Sequence, residues 1–257
     1  MSSSRRPCGL SREHSISVSG LKLVPDLSGA LYVPDFAALI IADLHLEKGS
    51  SLARHGAHLP PYDTRESLSQ LAAALSVARP RRLILLGDSF HDRGGQMRID
   101  NADIARLTRI TRSVETMWIA GNHDPSPCRE FGGTVAEEIV LGPLRLRHEP
   151  SQGIGEAFEI AGHLHPGAAI SQRGRVVRCR CFAGDERRLV MPAFGSFTGA
   201  LSVRAEPFAA IFPSGEFDVW MLGGRAVPPG PPPSRRLRAL QAKARPSAAP
   251  MTASVPG

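Results

Sequence analysis

The sequence predicts an α/β fold of two packed sheets with helices on the outside. Its first half alternates short apolar runs that end at an acidic residue with segments of helical period. Its second half is a succession of apolar runs separated by turn residues. At 257 residues, the chain can also bury one substantial core without staples.

The elements follow in order. "AALIIAD" (37–43) and "RRLILLGD" (81–88) read as buried strands whose ends deliver a side chain. "TRESLSQLAAALSVA" (64–78) spaces leucine and alanine as a helix, and its Thr-x-Glu start can cap it. "ADIARLTRITRS" (102–113) is a second helix, and "ETMWIAGNHD" is a strand running into a loop. The first half is therefore β-α-β-α-β. In the second half "AEEIVLGPLRLRHE", "AFEIAGHLH", "RGRVVRCRCF", "RRLVMPAF", "FAAIFP" and "FDVWML" read mostly as strands.

With no internal repeat and no linker between these segments, residues 15–226 are expected to form one domain. The segment 227–257 is rich in Pro, Ala and Ser and cannot bury enough surface to offset its ordering entropy. It is expected to be disordered, with a transient helix around "RRLRALQAKAR"; residues 1–14 are expected to be a disordered basic tail.

The net charge of +7 sits in these tails. Arg5, Arg6 and Arg12 against Glu13 leave residues 1–14 at +2, and Arg235, Arg236, Arg238, Lys243 and Arg245 leave residues 227–257 at +5. Residues 15–226 balance at 23 basic against 23 acidic. Such tails either attract phosphate backbones or simply solubilise the chain.

Four cysteines (Cys8, Cys128, Cys179, Cys181) are too few and too irregular for a disulfide framework. No apolar run approaches the ~20 residues of a membrane span, and the first residues lack the apolar stretch of a signal peptide. A reduced, cytoplasmic protein without a membrane partner is expected. Cys179 and Cys181 alternate with arginines in "RVVRCRCF", which places both thiols on one strand face as packing groups. Arg173, Arg175, Arg178 and Arg180 form either a phosphate-tracking stripe or a solvated face.

The chemistry lies at the strand ends. "ADLHLEKG" supplies Asp43 and His45, and "LGDSFHD" supplies Asp88, His91 and Asp92. "AGNHDPSP" supplies Asn122, His123 and Asp124; "RLRHEP" supplies His148, and "AGHLHPG" supplies His163 and His165. Each motif alone has an ordinary explanation as a cap, a turn or an exposed loop. Together they offer carboxylates and imidazoles suited to Mn2+, Fe or Zn, and a carboxylate can bridge two ions where an imidazole cannot.

The ordered set D-x-H, G-D, G-N-H-D, H and G-H-x-H resembles the calcineurin-like metallophosphoesterases from about residue 41 to residue 166. That resemblance implies a four-layer α-β-β-α sandwich of two mixed sheets, with a dimetal site in the loops after the strand C-termini. It implies that Asp43, His45 and His165 hold one divalent ion, that Asn122, His148 and His163 hold the other, and that Asp88 bridges them. It implies phosphodiester hydrolysis by a hydroxide activated between the two ions. It implies that His123, outside the ligand set, protonates the leaving alkoxide or stabilises charge on phosphorus, with Asp124 orienting it.

His91 stands where the general Gly-Asp-x-x-Asp pattern has its last acid, and the acid is displaced to Asp92. "GDSFH" resembles the corresponding segment of double-strand-break repair nucleases in the same superfamily. His91 then either positions the phosphodiester or merely steadies Asp88.

"CFAGDERRLVMPAFGSFTGALSV" (181–203) makes the chain similar to the DNA-ligase-associated metallophosphoesterases, the PdeM family, over about residues 17–222. This implies a Mn2+-dependent DNA endonuclease of the DNA damage response, with a DNA ligase, a ligase-associated helicase and an exonuclease as partners. The residues themselves leave "PAFGSFTGA" as either a phosphate-approaching loop or a tight inter-sheet crossover. The same metal centre would also serve a small-molecule phosphoesterase acting on cyclic nucleotides or nucleotide anhydrides. A catalytically silent scaffold would have no need of seven ligands.

Overall fold

The computed structural model describes residues 15–57, 62–126, 129–153, 155–172, 175–223 and 237–240. Ile16–Val18 (β1), Leu21–Pro25 (β2) and Leu31–Val33 (β3) form an antiparallel entry that sequence periodicity does not predict, because the strands are only three to five residues long. Ala38–Ala42 (β4) pairs with β3 antiparallel and is buried along its whole length. After β4 come Lys48–Arg54 (α1) and Asp63–Ala78 (α2), then Arg82–Leu86 (β5). Gly95–Arg98 (α3) and Asn101–Arg112 (α4) lead to Glu115–Ile119 (β6) and Thr134–Ala136 (β7).

β4, β5, β6 and β7 pair in parallel, with Ile40 opposite Ile84 and Ile84 opposite Met117. Both faces of β4 and β5 are covered, which is why their sequences read as continuous apolar runs rather than alternating ones. Asp100 caps α4 by accepting from the backbone N–H of Asp103 at 2.8 Å. At α2 the expected cap is absent, since Thr64 turns its hydroxyl to the Glu47 carboxylate at 2.8 Å instead.

The second sheet contains Glu138–Leu141 (β8), Leu144–Arg147 (β9), Phe158–Ala161 (β10), Pro166–Gln172 (β11), Arg175–Gly184 (β12), Arg188–Val190 (β13) and Leu201–Ser202 (β14). Its order is β14-β11-β12-β13-β10-β9-β8, with β9, β10 and β13 parallel. "FAAIFP", expected as a strand, belongs to Glu206–Ile211 (α5). Pro207 suits the first helical turn, and Phe208, Ile211 and Phe212 at spacings of three and four turn one face into the core. Asp218–Leu222 (β15) pairs with β12.

Leu237–Leu240 (β16) adds in parallel to β15, so these four residues depart from the disordered tail and transient helix expected there. An edge strand presents a row of unpaired backbone groups, and β16 satisfies them on β15. The other residues of 227–257, like residues 1–14, lie outside the described residues.

Three apolar layers hold this arrangement. Ile40, Ile84, Leu86, Leu146, Ile160 and Trp220 fill the space between the sheets. Leu39, Ile41, Leu85, Leu68, Leu71 and Leu107 pack the first sheet on α2 and α4. Cys181, Val219, Phe208 and Phe212 join the second sheet to α5. The result is helices, sheet, sheet, helix, the expected four-layer sandwich. Burial raises both thiols, Cys181 well above its usual range and Cys179 less far, in keeping with a packing role. Among the described residues no helix is long and apolar enough to cross a membrane.

Candidate metal centre

Every motif residue comes from the C-terminal end of a parallel strand. Asp43 and His45 follow β4, Asp88 and His91 follow β5, and Asn122, His123 and Asp124 follow β6. His148 follows β9, while His163 and His165 follow β10. Facing sheets thus direct two sets of loops to one place.

Backbone hydrogen bonds lock the loops together. The His45 N–H donates to Asp88 O, Leu46 N–H to Ser89 O and His91 N–H to Leu46 O, each at 2.9 Å. The His163 N–H reaches Asp43 Oδ2 at 3.0 Å and joins the second sheet to the first. Asp43, His45, Glu47, Asp88, His163 and His165 all have positive φ. Non-glycine residues pay for that conformation, which persists where the surrounding structure imposes it, and functional sites are where it concentrates.

Two groups result. Asp43, His45 and His165 bring their ligand atoms within 4.8 Å of one another, as do Asp88, His148 and His163. Asn122 joins the second group, its Oδ1 lying 2.8 Å from His148 Nε2 and 2.9 Å from His163 Nδ1. Asp88 Oδ2 faces both, at 3.3 Å from His148 Nε2 and 3.9 Å from His45 Nε2. The structure therefore brings together all seven residues expected as ligands and sets Asp88 between the groups.

The donor set fits divalent cations. His45 Nε2 and His165 Nε2 approach to 3.2 Å, and His148 Nε2 and His163 Nδ1 to 3.3 Å. Donor atoms ~2.1 Å from one ion stand roughly 3 to 3.4 Å apart, so these spacings match shared ligation. Burial, opposed by Asp43, lowers the His45 pKa to about 3, which keeps the imidazole neutral and its lone pair free. Burial pushes the Asp88 carboxyl up, but the His148 hydrogen bond and charge outweigh it and bring the pKa down to about 2, so it is ionised. His148 Nδ1 lies 3.2 Å from Leu86 O; donating there turns Nε2 toward Asp88 and Asn122.

His91 and His123 stand beside these groups. Their rings stack with centroids 5.7 Å apart and planes at 14°, and each meets the His45 ring edgewise at 5.4 and 5.5 Å. Asp124 does not reach the His123 ring: its Oδ1 accepts from Gln96 Nε2 at 3.0 Å, and its buried Oδ2 has no hydrogen-bond partner among the described residues. Burial raises the Asp124 pKa to about 6 against the lowering effect of that hydrogen bond. Asp92, the displaced acid, takes the Arg98 guanidinium through two bonds of 2.8 and 2.7 Å.

"PAFG" proves to be a crossover. Phe194 and Gly195 donate their N–H groups to Ala42 O and Asp43 O at 2.9 and 3.1 Å, and a Cβ at Gly195 would lie 2.1 Å from Leu44 O. Arg180 holds the carbonyl of Ala193 at 2.6 Å, so it braces the metal loop from behind rather than joining an exposed stripe. Arg175 and Arg178 are exposed, and Arg173 lies outside the described residues.

A family model described as calcineurin-like phosphoesterase matches residues 36–173, the span that carries all of these ligands. The chain belongs to the calcineurin-like phosphoesterases. The phosphoesterase is also similar to the crystal structure of Pseudomonas putida nuclease MPE, at 32% identity and a TM-score of 0.62. That match covers 75% of this chain and 92% of that chain. No curated protein matches the chain. With its two ligand groups, this phosphoesterase is a metallophosphoesterase, and its site is built for two ions.

Gln96, Arg98 and Glu47 were missed by sequence reasoning. "DRGGQMRID" has no periodicity, and only the displaced Asp92, an acid in need of a cation, hinted at Arg98.

Proposed function

We propose that this metallophosphoesterase is a Mn2+-dependent phosphodiesterase that cuts DNA. On this reading it is an endonuclease of the DNA-ligase-associated PdeM group, cytoplasmic, acting in the DNA damage response beside a DNA ligase, a ligase-associated helicase and an exonuclease. The observation that carries it is the openness of the site on one side: Asn122 and His123 are exposed and His163 and His165 half-buried, while Asp43, Asp88 and His148 are buried beneath them. A phosphodiester within a polymer can reach such a rim without leaving its chain. The likeness to a nuclease supports the same reading.

In this mechanism Asp43, His45 and His165 would hold one ion and Asn122, His148 and His163 the other, with Asp88 shared between the two groups. When bound, the two ions polarise the phosphoryl oxygens and lower the pKa of water at the site. The chain's own residues do the rest. His123, exposed at the rim, gives its ring proton to the departing alkoxide. His91, whose ring lies parallel to it, donates to a non-bridging phosphate oxygen and turns the diester toward the buried carboxylates. Asp124 fixes the loop that carries His123.

The test is Mn2+-dependent hydrolysis of an aryl phosphodiester, an aryl monoester and labelled single- and double-stranded DNA by wild type and His123→Ala. Cleavage of diester and DNA by wild type, with DNA cleavage lost in the variant and aryl diester turnover largely kept, supports the nuclease. Turnover of small diesters alone would leave the centre intact and transfer the function to cyclic nucleotides or nucleotide anhydrides.

A further inference from the structure

His91 and His123 are the two site imidazoles outside both metal groups, and they come from different loops. Among the described residues no hydrogen bond joins either ring to a carboxylate: the contacts of His91 are ring nitrogens and ring faces, and His123 is exposed. Their parallel stacking must be fixed through the backbone that carries them.

The one-turn helix α3 supplies that support. Gln96 Nε2 donates to Asp124 Oδ1 and to Ser126 O, both at 3.0 Å, spanning the loop directly after His123. The Gly121 N–H closes the same loop on Asp124 O at 3.1 Å. Two residues further along α3, Arg98 grips Asp92, the neighbour of His91, with its bidentate fork and donates from Nε to Ser50 Oγ at 3.0 Å. Ser50 in turn donates to the Glu47 carboxylate at 2.7 Å, and Glu47 is buried and held by Thr64. A single rigid turn therefore fastens three loops: those after β4, β5 and β6.

We propose that α3 is a clasp for the His91–His123 pair, in which Gln96 positions His123 through the Asp124–Ser126 loop and Arg98 positions His91 through Asp92. Neither residue touches the substrate. This rests on the proton-donor reading of His123 given above. A misplacement of about 1 Å in a reacting group costs up to ~100-fold in rate, and an exposed imidazole without its loop anchor is free to move that far.

The proposal predicts selectivity by leaving group. A 4-nitrophenolate departs without a proton, whereas the alkoxide of a DNA strand needs one. In the full-length Mn2+-loaded protein, Gln96→Ala should lower kcat on a labelled single-stranded oligodeoxynucleotide about 10- to 100-fold and alter kcat on thymidine 5′-(4-nitrophenyl) phosphate less than about threefold. Arg98→Ala should instead raise KM for both substrates, with Arg98→Lys intermediate because it keeps the charge and loses the fork.

Metal content by elemental analysis should match wild type in all three variants. A second readout needs no turnover: in the zinc-loaded protein, a nuclear Overhauser contact between the His91 and His123 ring protons should be present in wild type and lost in Gln96→Ala and Arg98→Ala. His123→Ala calibrates the series. If it is leaving-group selective and Gln96→Ala slows both substrates equally or neither, the clasp is refuted while the donor stands. If His123→Ala is itself unselective, the donor reading fails and the clasp fails with it. Persistence of the ring contact in both variants refutes the clasp whatever the kinetics.

Discussion

The His123 N–H donates to Asp88 Oδ1 at 2.9 Å, so the histidine at the rim hangs from the carboxylate that lies between the two metal groups. Asp88 thus has two jobs, one toward the ligand groups and one toward the loop of His123. Asp88→Asn is expected to lose both ions and at least ~100-fold in turnover, whereas His123→Ala should keep metal content near wild type and lose ~100- to 10,000-fold in DNA cleavage. Elemental analysis beside steady-state kinetics checks this. Full activity with two ions in Asp88→Asn would remove the bridging assignment.

Gly121 lies beneath the same carboxylate. A Cβ there would stand 2.2 Å from both Asp88 N and Asp88 Oδ1, and neither a backbone atom nor a buried ligand can move aside cheaply. Gly121→Ala should destabilise the protein by about 1 to 3 kcal/mol and weaken metal binding. Thermal unfolding with and without added metal measures both, and an unchanged midpoint in either condition would show that the loop yields.

The Arg98 hydrogen bonds hold the Asp92 carboxyl well below its usual range against a smaller upward push from burial. A folded-state pKa below the unfolded value of ~3.9 means that the stabilisation is fully present above roughly pH 5 and fades as the pH falls. The unfolding midpoint of Asp92→Asn should therefore lie below wild type at pH 7, with the gap narrowing by pH 3. Chelator-treated protein keeps metal release out of the comparison. A gap that is the same size at both pH values would contradict the ion-pair account.

Removing residues 227–257 takes β16 from the edge of β15. β15 adjoins β12 and lies apart from the strands that carry the ligands, so hydrolysis of a small aryl diester should survive. The unfolding midpoint should fall by a few degrees as the backbone groups of β15 lose their partners. Loss of diester hydrolysis would mean that the segment supports the metal loops.

The strands that carry the site, and the types of residue at their ends, were legible in the amino-acid sequence. β4, β5 and β6 were legible because strands buried on both faces must be continuously apolar, and a charged residue directly after such a run marks where the strand leaves the core. Asp43, His45, Asp88 and Asn122 could be read off those ends, and His148, His163 and His165 off the ends of β9 and β10. α5 and β16 could not, because short apolar runs such as "FAAI" and "LRAL" satisfy helix and strand periods equally and only the neighbouring surface selects one.

What holds the site in place became legible only once the chain was folded. "PAFG" had two readings until Gly195 was seen packed on the backbone of Leu44, and Arg180 belonged to a possible phosphate stripe until its guanidinium was found on Ala193 O. Asp124 was expected to hold the His123 ring, yet its carboxyl turns to Gln96, on a different loop. Motif spacing records which residues are near in the chain. Hydrogen bonds between Gln96 and Asp124, Arg98 and Asp92, or Asp43 and His163 join residues 6 to 120 positions apart, and which of them meet is fixed only by the folded chain, for Asp43 and His163 by the packing of the two sheets.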